Sequence, residues 1–465
     1  MTSWTAIILA AGKGTRMNSK RPKVLHEICG RPMVAHVITA AKGAGVKRVV
    51  VVIGSGAREV REALGEGYIY VEQAELRGTG HAALQARPAI DGGGTASNSP
   101  FPGGRTGAQA VLVLNGDVPL VQAETLRRLM AQHESRGASL TFLTAQVPDS
   151  QGLGRIVRDS SGRPTSVIEW AQATEVQRRQ SEINVGAYCF DAAWLWSTLP
   201  QIAPSNVGEM YLTDMVEKTS AAGKVIETLT ADDTTEAIGV DTRLRLAQAE
   251  AVMRQRIREH WMTEGVTLID PPSTMIDAGV EIGRDTVIHP QTMIRGASKI
   301  GEDCEIGPWT IIAGSTIGNR CKVLSSVIEG STMEDDIDVG PFSHLRPGVY
   351  LERGVHVGNY VEIKNSRLKQ DATSGHFSYI GDASIGKNVN IGAGSITCNF
   401  DGINKLPTII EDDAFIGCDT MLVAPVRVGA RSKTGAGAVV VRDVPPDTLV
   451  VGVPAKPLGK SSSKP

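Results

Sequence analysis

IDAGVEIGRDTVIHPQTMIRGASKIGEDCEIGPWTII, running from Ile276 to Ile312, carries isoleucine at every sixth position: Ile276, Ile282, Ile288, Ile294, Ile300, Ile306 and Ile312. Helices repeat at about 3.6 residues and half-buried strands at about 2, so neither accounts for the step. Short strands separated by turns do, if each turns one apolar side chain inward and successive coils stack into a solenoid. Chance would have to place seven isoleucines in register. The same step recurs at Val349, Val355 and Val361, and at Ile410, Ile416, Leu422 and Val428. Glycine often follows the inward residue, as in Ile282-Gly283, Ile306-Gly307 and Ile416-Gly417. The pattern predicts a parallel β-helix and leaves its hand open. Two polar stretches, Ser366–Tyr379 and Asn399–Leu406, interrupt the step and are expected to be excursions from the coil, natural places for function.

Working back from the solenoid, Asp241 and Thr242 can cap a helix running to about Glu264, with Leu246, Ala249, Met253, Ile257 and Trp261 on one stripe. Before it the apolar pattern alternates: a strand-like run at Thr5–Ala10, a helical stretch after Pro32, then strands at Val49–Ile53 and Val111–Leu114. That rhythm predicts a Rossmann-like α/β domain with a mostly parallel sheet and ligands beyond the carboxyl ends of its strands. Asp91–Gly107, crowded with Gly, Ser and Pro, reads as a long inserted loop. The expected division is residues 1–243, a linker helix 244–264, and residues 265–465.

Bulk composition narrows the function. With 48 Lys and Arg against 50 Asp and Glu, no global positive field attracts nucleic acid or anionic membrane, so anionic substrates must meet local cations. The six cysteines form no C-x-x-C pair, which suits a reducing compartment, and the apolar run Ala6–Ala11 is too short for a signal or a span. A cytoplasmic protein is expected.

Leu9-Ala10-Ala11-Gly12-Lys13-Gly14-Thr15-Arg16-Met17 follows the first strand, with Lys23 soon after. A glycine-rich turn lets backbone N–H groups approach phosphates, and Arg16 and Lys23 can neutralise their charge. It is neither a dinucleotide fingerprint, since Met17 stands where a third glycine would, nor a Walker loop. At the end of another strand, Asn115-Gly116-Asp117 offers a carboxylate to a divalent cation.

Together these segments resemble sugar-phosphate nucleotidyltransferases, and nearly the whole chain resembles the bifunctional N-acetylglucosamine-1-phosphate uridyltransferase and glucosamine-1-phosphate N-acetyltransferase family. The resemblance implies that Leu9, Ala10, Ala11, Gly12 and Lys23 line the nucleotide, with Asn115 and Gly116 beside Asp117. It places Gln73, Gly78 and Thr79 on uracil, and Gly154, Glu169 and Asn184 on the acetylated sugar. It implies Mg²⁺ at Asp117 and Asp241, where the family usually has Asn for Asp241; a carboxylate is at least as good a ligand for a hard cation. Glu169-Trp170-Ala171-Gln172-Ala173 lacks the usual Lys-Asp pair.

For the second half the resemblance implies a left-handed β-helix, His376 as general base, Arg346 and Lys364 on the sugar phosphate, and Tyr379 and Asn390 on the sugar. It puts Ala393, Asn399, Phe400, Cys418 and Ala436 on acetyl-coenzyme A. Phe400 stands for the usual Tyr, Cys418 for a Ser, and the family's late arginine is missing, with Lys456 available to a coenzyme A phosphate. The lost hydroxyls are expected to raise the Michaelis constant for the acyl donor before they affect turnover. UTP and acetyl-coenzyme A would be co-substrates, glucosamine 1-phosphate and N-acetylglucosamine 1-phosphate the acceptors, and a homotrimer the assembly. The product would feed peptidoglycan and lipopolysaccharide synthesis. Two rival readings are a regulatory solenoid on another sugar nucleotidyltransferase, and a non-catalytic assembly subunit; intact Lys23, Asp117 and His376 oppose the second.

Overall fold

The computed structural model describes residues 2–91, 109–148, 152–170, 172–206 and 208–460. They fall into two units, Met1–Met253 and Arg254–Pro465. Of the expected loop, Asp91 closes the helix Arg87–Asp91 and the remainder lies outside the described residues.

In the first unit the strands lie in the order Ile226–Thr230, Leu140–Gln146, Glu182–Asp191, Ala110–Asn115, Trp4–Ala10, Arg48–Ile53, Ile69–Glu72. Trp4–Ala10 pairs in parallel with both neighbours, and its Ala6, Ile7 and Ile8 are fully buried. A strand covered on both faces must be a continuous apolar run, and this one is. Only Glu182–Asp191 runs antiparallel to its neighbours in that order. It also pairs with Arg155–Arg158, which forms a hairpin with Pro164–Ile168.

His133, on the helix Ala123–Arg136, is buried with its Nδ1 3.0 Å from Thr141 Oγ1 and the Trp4 ring edge-on at 5.7 Å. Burial pulls its pKa down from 6.5 to about 4, and His36 moves the same way for the same reason. A depressed folded-state pKa means that the neutral ring stabilises the fold. That contribution is complete above about pH 6.5 and disappears as pH falls through about 4, a loss of about 3 kcal/mol from His133. Amide protection factors in Trp4–Ala10, taken relative to intrinsic exchange at each pH, are therefore expected to fall as pH falls across this window, and His133→Asn to flatten the fall; an unchanged pH slope in the variant would refute the assignment.

The second unit is the solenoid. Each of the seven isoleucines is at most 8% exposed, as are Val349, Val355, Val361, Ile410, Ile416, Leu422 and Val428. Parallel pairing stacks residues one coil apart, such as Ile276 on Ile294 and Ile282 on Ile300. Strands such as Glu281–Ile282 and Lys299–Ile300 build a separate sheet, so the coils present distinct faces to solvent. Corners between faces carry left-handed residues such as Asp285, Asp303 and Asp336, a conformation that Asp tolerates better than branched residues do.

One expectation needs correction. Ser366–Tyr379 is not an excursion: Leu368, Ser374 and Ile380 continue the inward step, all at most 2% exposed. The strand Thr373–Gly381 pairs along its length with His356–Lys364. Ser374 is small enough for the inward place, so a polar residue there hid the coil from an apolar pattern. Asn399–Leu406 is a true excursion, closed by Leu406 N–H donating to the Asn399 carbonyl, 2.7 Å. Across it, paired residues lie 25 apart, as in Ile391 and Ile416.

The helix Arg243–Thr263 begins where expected, with Thr242 Oγ1 accepting from Arg245 N–H. Ala249 is buried in the first unit, where Glu250 accepts the Cys29 N–H at 2.8 Å; Ile257 and Trp261 pack on the solenoid core. Among the described residues no helix is long and apolar enough to cross a membrane.

Candidate active sites

Chain ends of two adjacent strands make the first site. After Ala10 the backbone turns through Gly14, left-handed at φ 63°, where a Cβ would lie 2.4 Å from Lys23 Cβ. Glycine is required because Lys23 passes so close. On the neighbouring strand, Gly116 N–H donates to the Leu9 carbonyl at 2.9 Å, holding Asn115-Gly116-Asp117 against Leu9–Gly12. Lys23 Nζ then reaches Asp117 Oδ2 at 2.5 Å, with both side chains a quarter exposed or less. Val240 N–H donates to the Asp117 carbonyl at 2.8 Å, which brings Asp241 alongside; Arg16 pairs with Asp241 at 2.7 Å. Two carboxylates and two cations thus share one strand-end crevice. Paired aspartates are the donor set a hard divalent cation takes alongside phosphate oxygens, so these residues fit Mg²⁺.

Gln73 is buried, its Nε2 donating to the Gly78 carbonyl at 3.1 Å and lying 2.9 Å from His81 Nδ1. Gly78, at φ 91°, sits where a Cβ would be 2.6 Å from the Met210 carbonyl oxygen, and Thr79 Oγ1 accepts the Leu212 N–H at 3.0 Å. Gly154, Glu169 and Asn184 also come together. Asn184 N–H donates to the Gly154 carbonyl at 3.0 Å, and a Cβ on Gly154 would be 3.7 Å from Glu169 Oε2. Thr213 Oγ1 donates to Glu169 at 2.9 Å, while burial raises the Glu169 pKa, with Asp214 and Glu209 adding repulsion.

The second site runs along the solenoid. His376 is exposed on Thr373–Gly381, opposite Asn359 on the preceding coil, and its Nδ1 lies 3.2 Å from Asn359 Oδ1. Asn359 Oδ1 only accepts, so Nδ1 carries the hydrogen and Nε2 is left as the basic nitrogen. Tyr379 lies opposite Glu362, and Arg346 pairs with Glu362 at 2.8 Å; Lys364 lies two residues further along the same strand. Asn390 stacks on Thr373. A Cβ on Gly381 would lie 2.5 Å from the Tyr379 hydroxyl and 2.6 Å from Asn399 Nδ2, so the residues expected on sugar and on acyl donor converge over a glycine.

Ala393, Cys418 and Ala436 form a column on successive coils: Asp419 N–H donates to the Ala393 carbonyl at 2.7 Å, and Gly437 N–H to the Cys418 carbonyl at 2.8 Å. Phe400 is exposed on the excursion, with Lys405 Nζ 4.3 Å from its ring centre. Lys456 is exposed on the terminal strand Lys456–Lys460.

Sequence reading missed Asn359, Glu362 and Asp382, the last accepting from Asn365 at 2.6 Å and from Asn399 at 2.5 Å. A usable signal was present. Stepping 17 residues back from His376 gives Asn359, and from Asn399 gives Asp382. One coil of a solenoid sets which residues touch.

Residues 6–181 match the MobA-like NTP transferase domain family, and residues 407–442 match the hexapeptide repeat of succinyl-transferase. The bifunctional protein GlmU of Heliobacterium modesticaldum is 47% identical over 448 residues, 96% of this chain and 95% of the relative. GlmU of Halalkalibacterium halodurans is 44% identical, covering 97% of this chain and 96% of its own, and that of Exiguobacterium sibiricum 45%, covering 96% of each. Identity at this level runs through both units, and this chain belongs to the GlmU family of bifunctional proteins.

Proposed function

We propose that the chain makes UDP-N-acetylglucosamine in two steps at separate sites, in domains comprising residues 1–243 and 265–465 joined by the helix at 244–264. The single observation that carries the uridylyl site is the Lys23–Asp117 contact, which draws the glycine turn and the strand-end carboxylate into one crevice. There the sugar phosphate oxygen attacks the α-phosphorus of UTP; the new O–P bond forms as the bond to pyrophosphate breaks. Mg²⁺ held by Asp117 and Asp241 supplies charge neutralisation on the phosphate oxygens when bound. Lys23 and Arg16 neutralise the remaining charge, Gly12 and Gly14 admit the phosphates to the backbone, and no protein nucleophile is used. Gln73, Gly78 and Thr79 face uracil; Gly154, Glu169 and Asn184 face the acetylated sugar.

At the second site His376 Nε2 takes a proton from the amine of glucosamine 1-phosphate as its nitrogen attacks the thioester carbon. The N–C bond forms, the C–S bond breaks, and coenzyme A leaves after receiving a proton. Arg346 and Lys364 hold the phosphate, Tyr379 and Asn390 orient the ring, and Ala393, Asn399, Phe400, Cys418 and Ala436 line the acyl donor.

The assembly is a homotrimer with acetyl-transfer sites between solenoids. In support, corners of the coils expose Trp309, Phe342, Tyr360 and Phe377 by 63%, 56%, 59% and 69%, with Ser325 on the coil between the first two and Phe342 and Tyr360 stacked at 5.4 Å. An apolar ridge of this extent is characteristic of an association surface. The enzyme works in the cytoplasm on small-molecule substrates, without nucleic acid or membrane.

Supplied with glucosamine 1-phosphate, acetyl-coenzyme A, UTP and Mg²⁺ together, the protein is expected to yield UDP-N-acetylglucosamine, coenzyme A and pyrophosphate. Omitting acetyl-coenzyme A should abolish that product and N-acetylglucosamine 1-phosphate should restore it. Failure to restore would sink the two-step reading.

A further inference from the structure

Trp170 follows Glu169 directly, and two guanidinium groups lie over its indole, Arg155 Cζ 4.6 Å and Arg178 Cζ 5.0 Å from the ring centre. Arg155 is fully buried, donating through Nη1 to the Leu153 carbonyl and through Nη2 to the Arg178 carbonyl at 3.2 Å. Arg178 is brought there by the short helix Glu175–Arg178, whose entry is fixed by a capping box between Thr174 and Gln177.

The position of this stack gives it a consequence at the sugar site. Arg155 pairs across the hairpin with Ile168 and on its other side with Ile183. Each member of that row is next in sequence to a sugar-facing residue: Gly154 beside Arg155, Glu169 after Ile168, Asn184 after Ile183. Two of the three are fixed to each other through backbone, Asn184 N–H to the Gly154 carbonyl. Glu169 instead sits where the strand Pro164–Ile168 has ended, half-buried, with Thr213 donating to its carboxylate and partial burial raising its pKa. The Glu169 carbonyl accepts the Gln172 and Ala173 N–H groups at 2.9 and 3.0 Å, so Glu169 heads the turn that carries Trp170. The two guanidinium groups over the Trp170 ring, one from the hairpin and one from the helix Glu175–Arg178, anchor that turn by cation–π attraction.

We infer that Trp170 is a positioning residue for the sugar half of uridylyl transfer: held by Arg155 and Arg178, it fixes the turn at Glu169 against N-acetylglucosamine 1-phosphate and so sets affinity for that substrate without touching the nucleotide. The inference rests on the uridylyl reading of the site.

Steady-state kinetics with both substrates varied test it. Trp170→Ala is expected to raise the KM for N-acetylglucosamine 1-phosphate about tenfold, with kcat and the KM for UTP within about twofold. Trp170→Phe, which keeps an aromatic face, should stay within about threefold of wild type. Arg178→Ala, at an exposed position, should shift the same KM in the same direction by less, and acetyl transfer should be unchanged in all three. An unaltered sugar KM in Trp170→Ala overturns the inference, as does a parallel rise in the KM for UTP, or Trp170→Phe as impaired as Trp170→Ala. A wild-type protein inert toward N-acetylglucosamine 1-phosphate and UTP would overturn the site reading itself, and this inference with it; an active wild type with an indifferent Trp170→Ala overturns the inference alone.

Discussion

Asp117→Ala is expected to lower uridylyl transfer by about a thousandfold or more while acetyl transfer stays within about twofold of wild type. The carboxylate is in contact with Lys23 at 2.5 Å, and its own carbonyl accepts the Val240 N–H that sets Asp241 in place. The substitution keeps the backbone contact and removes the charge, so the geometry of the crevice is retained and its electrostatics are not. Lys23 then loses its partner, and on the proposed reading Mg²⁺ would lose one of the two carboxylates that would hold it. Because the acetyl-transfer residues belong to a separate unit with its own core, the second activity serves as the folding control. Asp117→Asn should recover little, since an amide keeps the shape and not the charge. Both activities falling together would contradict the separation of sites.

The converse variant, His376→Ala, should cost acetyl transfer about a hundred- to ten-thousandfold, the usual range for a general base, and leave uridylyl transfer intact. The side chain is exposed and bonded only through Nδ1 to Asn359, so its removal opens no cavity in the solenoid. A residual rate is expected, because on the proposed reading Arg346, Lys364 and Tyr379 would still place the amine. The loss should be in turnover rather than in the KM for glucosamine 1-phosphate. Retained acetylation would exclude His376 from proton transfer.

The solenoid was legible because its coil is periodic. An inward residue recurs at six, and only a chain closing a coil in three short strands keeps that step with apolar side chains such as Ile288, Ile294 and Ile306 all at 0% exposure. The step fails as a guide where the inward residue is Ser374, since hydrophobicity is the only signal it carries. The glycine turn and the strand-end Asp117 were legible too, through a local rule: phosphates need close backbone approach, and a hard cation needs a carboxylate at the strand end.

What sequence determined by itself, then, was the class of each unit and the residue types able to do the chemistry, since these follow from periodicity and side-chain donors. Only tertiary structure decided which of them meet. Lys23 and Asp117 stand 94 positions apart and touch because adjacent parallel strands end together. Asn359 sets the His376 tautomer because one coil places it underneath, and Trp170 is gripped by Arg155 and Arg178 because a hairpin and a four-residue helix converge on it. Contacts of this kind are products of chain closure, which no local property of the residues encodes.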